Sequence, residues 1–191
     1  MTPPPRDAVA AAEAAFAAAA ALHQRVRSNL APAVAAAQAI REALEHGGKL
    51  LVFGNGGSAA DAQHFAAELV GRFMKERAAL AAIALTTDTS VMTSVANDYS
   101  FEHVFVRQIE ALGRPGDVAF GISTSGESRN VISALERARE RGLKTIALTG
   151  RDGGHAGRAA DLHVNVPDQN TARVQEVHRT ILHVMCELIE T

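Results

Sequence analysis

Cysteine is almost missing from this chain. Cys186 is the only one, so no intrachain disulfide can form, and a lone thiol in an apolar helical setting reads as a small core residue of a cytoplasmic protein. A charge excess is missing too: 19 basic against 21 acidic side chains leave a formal net charge of -2. That balance excludes a polybasic membrane anchor and a strongly basic face for nucleic acid, and neither partner is expected. Long apolar runs are absent. The Ala-rich segment Ala8–Leu22 is interrupted by Glu13 and is shorter than the roughly 20 residues a membrane span needs. Arg6 stands beside Asp7, a poor basic start for a leader, so the segment reads as an ordinary helix. There is no internal repeat and no linker, and 191 residues suit one domain with a sizeable core.

What remains is an ordered alternation. The three prolines within Met1–Arg6 predict a frayed start. Asp7–Arg27 and Pro32–His46 carry helical periodicity and high Ala content, and Gly47-Gly48 stops the second helix. Short apolar runs then alternate with helical stretches: Leu50–Phe53, Ala82–Leu85, Val118–Ile122, Thr145–Leu148 and Leu162–Val166. Strands alternating with helices predict a five-stranded parallel sheet with helices on both faces, an α/β fold preceded by two N-terminal helices. One α/β core over 48–191 and a helical segment over 1–47 are expected. A last helix is expected over Ala172–Ile189, with Val174, Val177, Ile181, Leu182, Met185 and Leu188 as its apolar stripe.

In such sheets ligands bind beyond the carboxyl ends of the strands, so the residues after each run matter most. The first run is followed by Gly54-Asn55-Gly56-Gly57-Ser58 and then a helical pattern. Strand, Gly-rich turn and helix start form an anion cradle, because free backbone N–H groups and the positive helix end face the turn. His64 and Glu68 follow on that helix, four residues apart and so on one face. Two plainer readings compete. Gly54, Gly56 and Ala59 satisfy the dinucleotide fingerprint, but that site wants an acid about 20 positions on. The nearest candidate, Asp88, comes 34 positions after Gly54 and argues against it. The other reading makes His64 and Glu68 an ordinary surface pair, which spacing alone does not exclude.

The third run is followed by Ser123-Thr124-Ser125-Gly126-Glu127-Ser128 and a helix over Asn130–Arg141. Capping a helix needs one hydroxyl. This turn supplies four, and no lysine follows in P-loop fashion, so the residues suit a phosphate monoester held by neutral donors at a helix start. On the last helix Gln175, His178 and His183 lie beside the apolar stripe. His178, His103, His155 and His163 read as structural.

The stretches GNGGSAADAQHFAAELVGRF, ANDYSFEHVF, GDVAFGISTSGESRNVISAL, IALTGRDGG and RVQEVHRTILHV together closely resemble the sugar isomerase (SIS) family, from Gly47 to the C-terminus. The resemblance implies a flavodoxin-like three-layer sandwich and a homotetramer that uses the N-terminal helices in assembly. It implies conversion of D-sedoheptulose 7-phosphate to D-glycero-D-manno-heptose 7-phosphate, the first step towards nucleotide-activated heptose for lipopolysaccharide. Position by position, Asn55, Gly56, Gly57 and Ser58 match the substrate-binding turn, and Ser123, Thr124, Ser125 and Ser128 the phosphate loop. Asn97 and Asp98 match a substrate-contacting pair. His64, Glu68, Gln175 and His183 match ligands of one Zn²⁺ per subunit; Glu68 and His183 also match the acid/base pair, and Gln175 a substrate contact. Some members carry Asp where this chain has Ala172, so no role of that carboxylate applies here. Two alternatives stay open: a SIS isomerase for another sugar phosphate, and a non-catalytic SIS protein that binds a partner such as the replication initiator. The latter resembles this chain around Ala172-Arg173-Val174-Gln175-Glu176, but such relatives lack the side chains at the positions of Glu68 and His183.

The chemistry suits the residue types. Exchanging a ketose and an aldose through an enediol needs a base near C1 and C2 and a group that handles protons on the oxygens. A carboxylate and an imidazole divide that work. Geometry adds one expectation about assembly. Gln175 and His183 are eight residues apart, about 12 Å along a straight helix and roughly 80° around it, whereas zinc bonds are only about 2 Å. Helical side chains also lean towards the N-terminus, carrying Gln175 away from His183. No Gly or Pro lies between them to break the helix, so the sequence predicts an active site at a subunit interface, with Glu68 and His183 as the pair to test for different chains.

Overall fold

The computed structural model describes residues 6–191. The expected frayed start, Met1–Arg6, falls outside the described residues except for Arg6, which already opens a helix. Two helices lead the chain, α1 (Arg6–Val26) and α2 (Ala31–Glu45). Pro32 sits in the first turn of α2, where its missing N–H costs nothing. Then come β1 (Leu50–Gly54), α3 (Gly57–Val70), β2 (Ala82–Ala84), α4 (Thr89–Asp98) and, after a short 3-10 turn, α5 (Val106–Leu112). The chain continues through β3 (Val118–Ser123), α6 (Arg129–Glu140), β4 (Lys144–Gly150), α7 (Gly154–Ala159) and β5 (Leu162–Val166) to α8 (Thr171–Ile189).

All five strands pair in parallel, in the order β2-β1-β3-β4-β5. This is the flavodoxin-like order, whose ligand crevice opens between β1 and β3, where the winding reverses. Alternation along the strands feeds two cores. Leu50, Val52, Val118, Phe120, Ile146 and Leu148 face α1, α2, α3 and α8, while Leu51, Phe53, Ala119 and Ala147 face the layer of α5, α6 and α7. Gly121 lets α6 close on the sheet, since a Cβ there would press on Val131 and Leu135.

β4 extends beyond the apolar run Thr145–Leu148 at both ends, because pairing with β3 and β5 carries it on through a buried polar residue, Thr149. Three helices, α4, α5 and α7, have no legible period. α4 is fixed by its cap instead: Asp88, weighed above as a dinucleotide acid, accepts a hydrogen bond from the Val91 amide at 2.9 Å. Among the described residues no helix is long and apolar enough to cross a membrane.

Candidate active site

The turn after β1 is shaped for close approach. Gly56 takes φ +56°, a conformation side chains resist, and Gly57 lies so near α8 that any Cβ there would overlap the Gln175 amide. Ser58 is buried behind the turn. Asn55 exchanges two hydrogen bonds with Asn130 on α6: its Nδ2 donates to Asn130 Oδ1 at 2.8 Å and receives one in return at 2.9 Å on Oδ1. Asn130 is buried and did not stand out in the sequence. This amide pair ties the first Gly-rich turn to the helix that starts behind the second.

That second turn keeps its hydroxyls off capping duty. Ser128 occupies the N-cap of α6 and makes no capping hydrogen bond. Instead Ser123 Oγ lies 3.1 Å from Ser128 Oγ and 3.3 Å from Ser125 Oγ, and accepts the Gly126 amide at 3.2 Å. Ser125 Oγ accepts the Glu127 amide at 3.1 Å. The hydroxyls therefore cluster on one another beside the positive end of a helix. Two braces hold the loop. Gly150 has no Cβ to separate the Thr124 carbonyl from Val174 of α8. Glu127 receives the His155 amide at 3.1 Å and pairs with the His155 ring at 2.6 Å, and that hydrogen bond holds its carboxyl below the usual range.

α3 buries Ala62, Phe65 and Leu69 in the core, which turns His64 and Glu68 towards α8. There His64 Nε2 meets His183 Nε2 at 2.8 Å, and Glu68 Oε1 lies 3.5 Å from His64 Nε2. An Nε2–Nε2 hydrogen bond needs one nitrogen protonated and the other bare, so the two rings hold a proton between them. His183 is further packed by Phe73, whose ring stacks on it at 5.3 Å and 28°. A carboxylate and two imidazoles thus form one partly exposed cluster within a single chain. Among the described residues no group of three or more His, Cys, Asp or Glu side chains is spaced around a metal position; His64 and His183 are joined by a hydrogen bond, and Glu68 lies beside His64.

The remaining predicted residues go elsewhere. α8 runs unbroken, so Gln175 and His183 do part, as helix geometry requires. Gln175 meets the α3 N-terminal turn, its Nε2 3.4 Å from Asp61 Oδ2. The test pairing of Glu68 and His183 from different chains is corrected, because His64 bridges them within one chain. Asn97 and Asp98 end α4, exposed, with Asn97 Nδ2 donating to Asp98 Oδ1 at 2.9 Å; among the described residues no hydrogen bond joins them to the others. Asp61 escaped the sequence reading although it precedes His64 by three residues. Its fully buried carboxylate is held by Arg179 at 2.6 and 3.1 Å. His178 is buried and donates from Nε2 to the Thr149 carbonyl at 2.9 Å; burial lowers its pKa to about 4, so it stays neutral.

Residues 15–150 match the family model for the SIS domain. The phosphoheptose isomerase of Geotalea daltonii is 57% identical over 173 residues, covering 88% of this chain and 90% of that one. The structure of the phosphoheptose isomerase from Neisseria gonorrhoeae superposes with a TM-score of 0.89 at 50% identity, covering 94% of this chain and 96% of the other. That from Francisella tularensis gives a TM-score of 0.91 at 40% identity, over 99% and 98% of the two chains. The chain belongs to the SIS domain family, in the group whose relatives are phosphoheptose isomerases.

Proposed function

We infer that this chain is an aldose–ketose isomerase that converts D-sedoheptulose 7-phosphate to D-glycero-D-manno-heptose 7-phosphate, the entry to nucleotide-activated heptose. One observation carries the reading: Glu68, His64 and His183 converge between α3 and α8, groups able to move a proton, in a chain whose turn after β3 gathers hydroxyls suited to a phosphate. The names of relatives more than half identical in sequence support the substrate.

In this reading Ser123, Thr124, Ser125 and Ser128 bind the phosphate with the α6 N-terminus, and Asn55, Gly56, Gly57 and Ser58 line the sugar. Gln175, Asn97 and Asp98 contact its hydroxyls. Glu68 takes the C1 proton as the C2 oxygen gains one from His183, giving the enediol. Return of the proton to C2, with loss of the O1 proton, yields the aldose. His64, in contact with His183 Nε2, helps fix where that ring points.

His64, Glu68 and His183 also provide two imidazole nitrogens and a carboxylate oxygen, donor types that suit Zn²⁺. We propose that they hold one zinc per subunit, with Gln175 as a further ligand from a neighbouring chain. Bound there, zinc would polarise the carbonyl and stabilise the enediolate. Elemental analysis of untagged protein tests this directly, one zinc per chain being the expected result.

A homotetramer fits the exposed surface. On α1, Phe16 is 80% exposed, and it lines, with Ala19, His23, Thr180 and His183, an apolar groove that reaches the catalytic cluster. Such a face asks for a cover, and a second copy would bring the subunit interface to the active site. A sugar-phosphate substrate supports a cytoplasmic enzyme, and the single thiol, pushed up to about 12 by burial, is inert. The deciding experiment incubates purified protein with sedoheptulose 7-phosphate and follows aldose formation. Turnover of a hexosamine phosphate instead would move the chain to another branch of the family.

A further inference from the structure

The loop between α3 and β2 closes on the end of α8 through a buried carboxylate that the reaction above does not use. The Glu190 side chain is 1% exposed. Its Oε1 accepts the Phe73 amide at 2.8 Å and Arg77 Nε at 3.1 Å; its Oε2 accepts the Met74 and Lys75 amides, both at 2.9 Å. Three consecutive backbone N–H groups turned on one point form an anion nest, filled here by the chain's own carboxylate. Arg77 also reaches the end of α3, giving Nη2 to the Glu68 carbonyl and Nη1 to the Leu69 carbonyl, each at 2.8 Å, while Nη1 further donates to the Ala78 carbonyl of the loop at 2.9 Å. The ends of the two helices that carry the catalytic cluster are thus joined through one ion pair.

The residue delivered by this loop is Phe73. Its backbone N–H is held by Glu190, and its ring stacks on His183 at 5.3 Å and 28°, while His64 meets the same His183 ring edge-on at 5.1 Å and 68°. Glu190 follows His183 by seven residues, two helical turns, so both lie on nearly one face of α8. Two rings of different orientation leave the imidazole little freedom to turn about its Cβ–Cγ bond. A proton carrier must keep one nitrogen aimed at the reacting oxygens, and that aim fixes the rate of transfer.

We propose that Phe73 and Glu190 are positioning residues for His183: the Glu190 nest sets the loop, and the loop seats the Phe73 ring that holds the imidazole at the angle proton transfer needs. This rests on the isomerase reading above and adds to it two residues that touch no substrate. The phosphate is bound elsewhere, so loss of the clasp should leave KM unchanged and lower kcat.

The test compares Phe73→Leu, Phe73→Tyr and Glu190→Gln with the parental enzyme. Phe73→Leu keeps apolar bulk and loses the flat ring; Phe73→Tyr keeps both. Two readouts are taken: steady-state kinetics with sedoheptulose 7-phosphate, and the ¹⁵N and ¹³C resonances of the His183 imidazole without substrate. The expected result for Phe73→Leu and Glu190→Gln is a fall in kcat of about 10–100-fold, the usual size for loss of a supporting residue, at unchanged KM. The His183 signals should shift or broaden, and Phe73→Tyr should behave as parental. Parental kcat in Phe73→Leu, a rise in KM alone, or a His183 signal unmoved in both variants overturns the proposal. If either variant does not fold, the other decides by the same criteria. Inactivity of the parental enzyme on this substrate would refute the isomerase reading, and the His183 resonances would still judge the positioning claim.

Discussion

In the proposed reaction Glu68 and the hydroxyls of the second turn have separable jobs. Glu68→Gln keeps the size of the side chain and removes its basic oxygen. Turnover should fall by about 10²–10⁴-fold while substrate still binds, a split that calorimetric titration beside kinetic assay will read. Thr124→Ala and Ser125→Ala remove hydroxyls proposed to hold the phosphate, the second also giving up the bond that Ser125 Oγ accepts from the Glu127 amide. Each should raise KM with kcat close to parental; unchanged kinetics at limiting substrate in both would remove the turn from the site. The sequence displayed these residues because hydroxyl-rich and Gly-rich turns follow apolar runs. It hid Asp61, Asn130, Phe73 and Glu190, whose work depends on which partner folding brings near. A carboxylate three residues before His64 was visible; that Arg179 would reach it across 118 positions was not.

At the scale of elements, α3 and α8 form a ladder with a rung at each end. The Asp61–Arg179 pair joins one end, and Arg77–Glu190 closes the other. Arg179→Met leaves the fully buried Asp61 carboxylate short of its cation, and should cost about 1–3 kcal/mol in denaturant unfolding. Glu190 carries a pH signature. Burial alone would raise its pKa, but the Phe73, Lys75 and Met74 amides and the Arg77 charge prevail and hold it at about 2, below the ordinary 4.5. A carboxylate depressed by folding stabilises fully above its ordinary pKa and loses that contribution as pH falls towards the folded one. The parental melting temperature should therefore drop as pH goes from about 4.5 to about 2, and Glu190→Gln should lack that part of the slope. Strand positions and the long helices α1, α2, α6 and α8 were legible because their apolar periods are regular. α4, α5 and α7 were not: α7 is six residues of glycine, alanine and polar side chains, and the face of α4 is only partly buried.

For the whole molecule, the divergence of Gln175 from His183 turns into a statement about assembly. Glu68, His64 and His183 share one chain, so mixing Glu68→Gln subunits with His183→Ala subunits should restore no activity. Mixing Glu68→Gln with Gln175→Ala should restore some, if Gln175 completes a neighbour's site. Native mass spectrometry on the same samples should report four chains, and Phe16→Glu on α1 should reduce that number. The chain order 2-1-3-4-5 was implied by the family resemblance and by nothing in the residue pattern, since every strand reads as a similar apolar run. Only pairing distinguishes them, and pairing is set by the right-handed crossovers that link strands through helices.

The His64–His183 contact also fixes when the enzyme comes into being. The two rings are 119 positions apart in the chain. During synthesis at about 5–20 residues per second, roughly 6–24 s separate the emergence of one from the other. The Gly-rich turn precedes that interval, and the hydroxyl-rich turn is made about half-way through it. Nothing in them can move a proton, because the imidazole at issue belongs to the last helix. The proton-moving cluster is therefore the last part of the molecule to be assembled, and because α8 also brings Val174, Val177, Ile181, Leu182 and Met185 to the core, a copy cut short before it would lose packing and chemistry together.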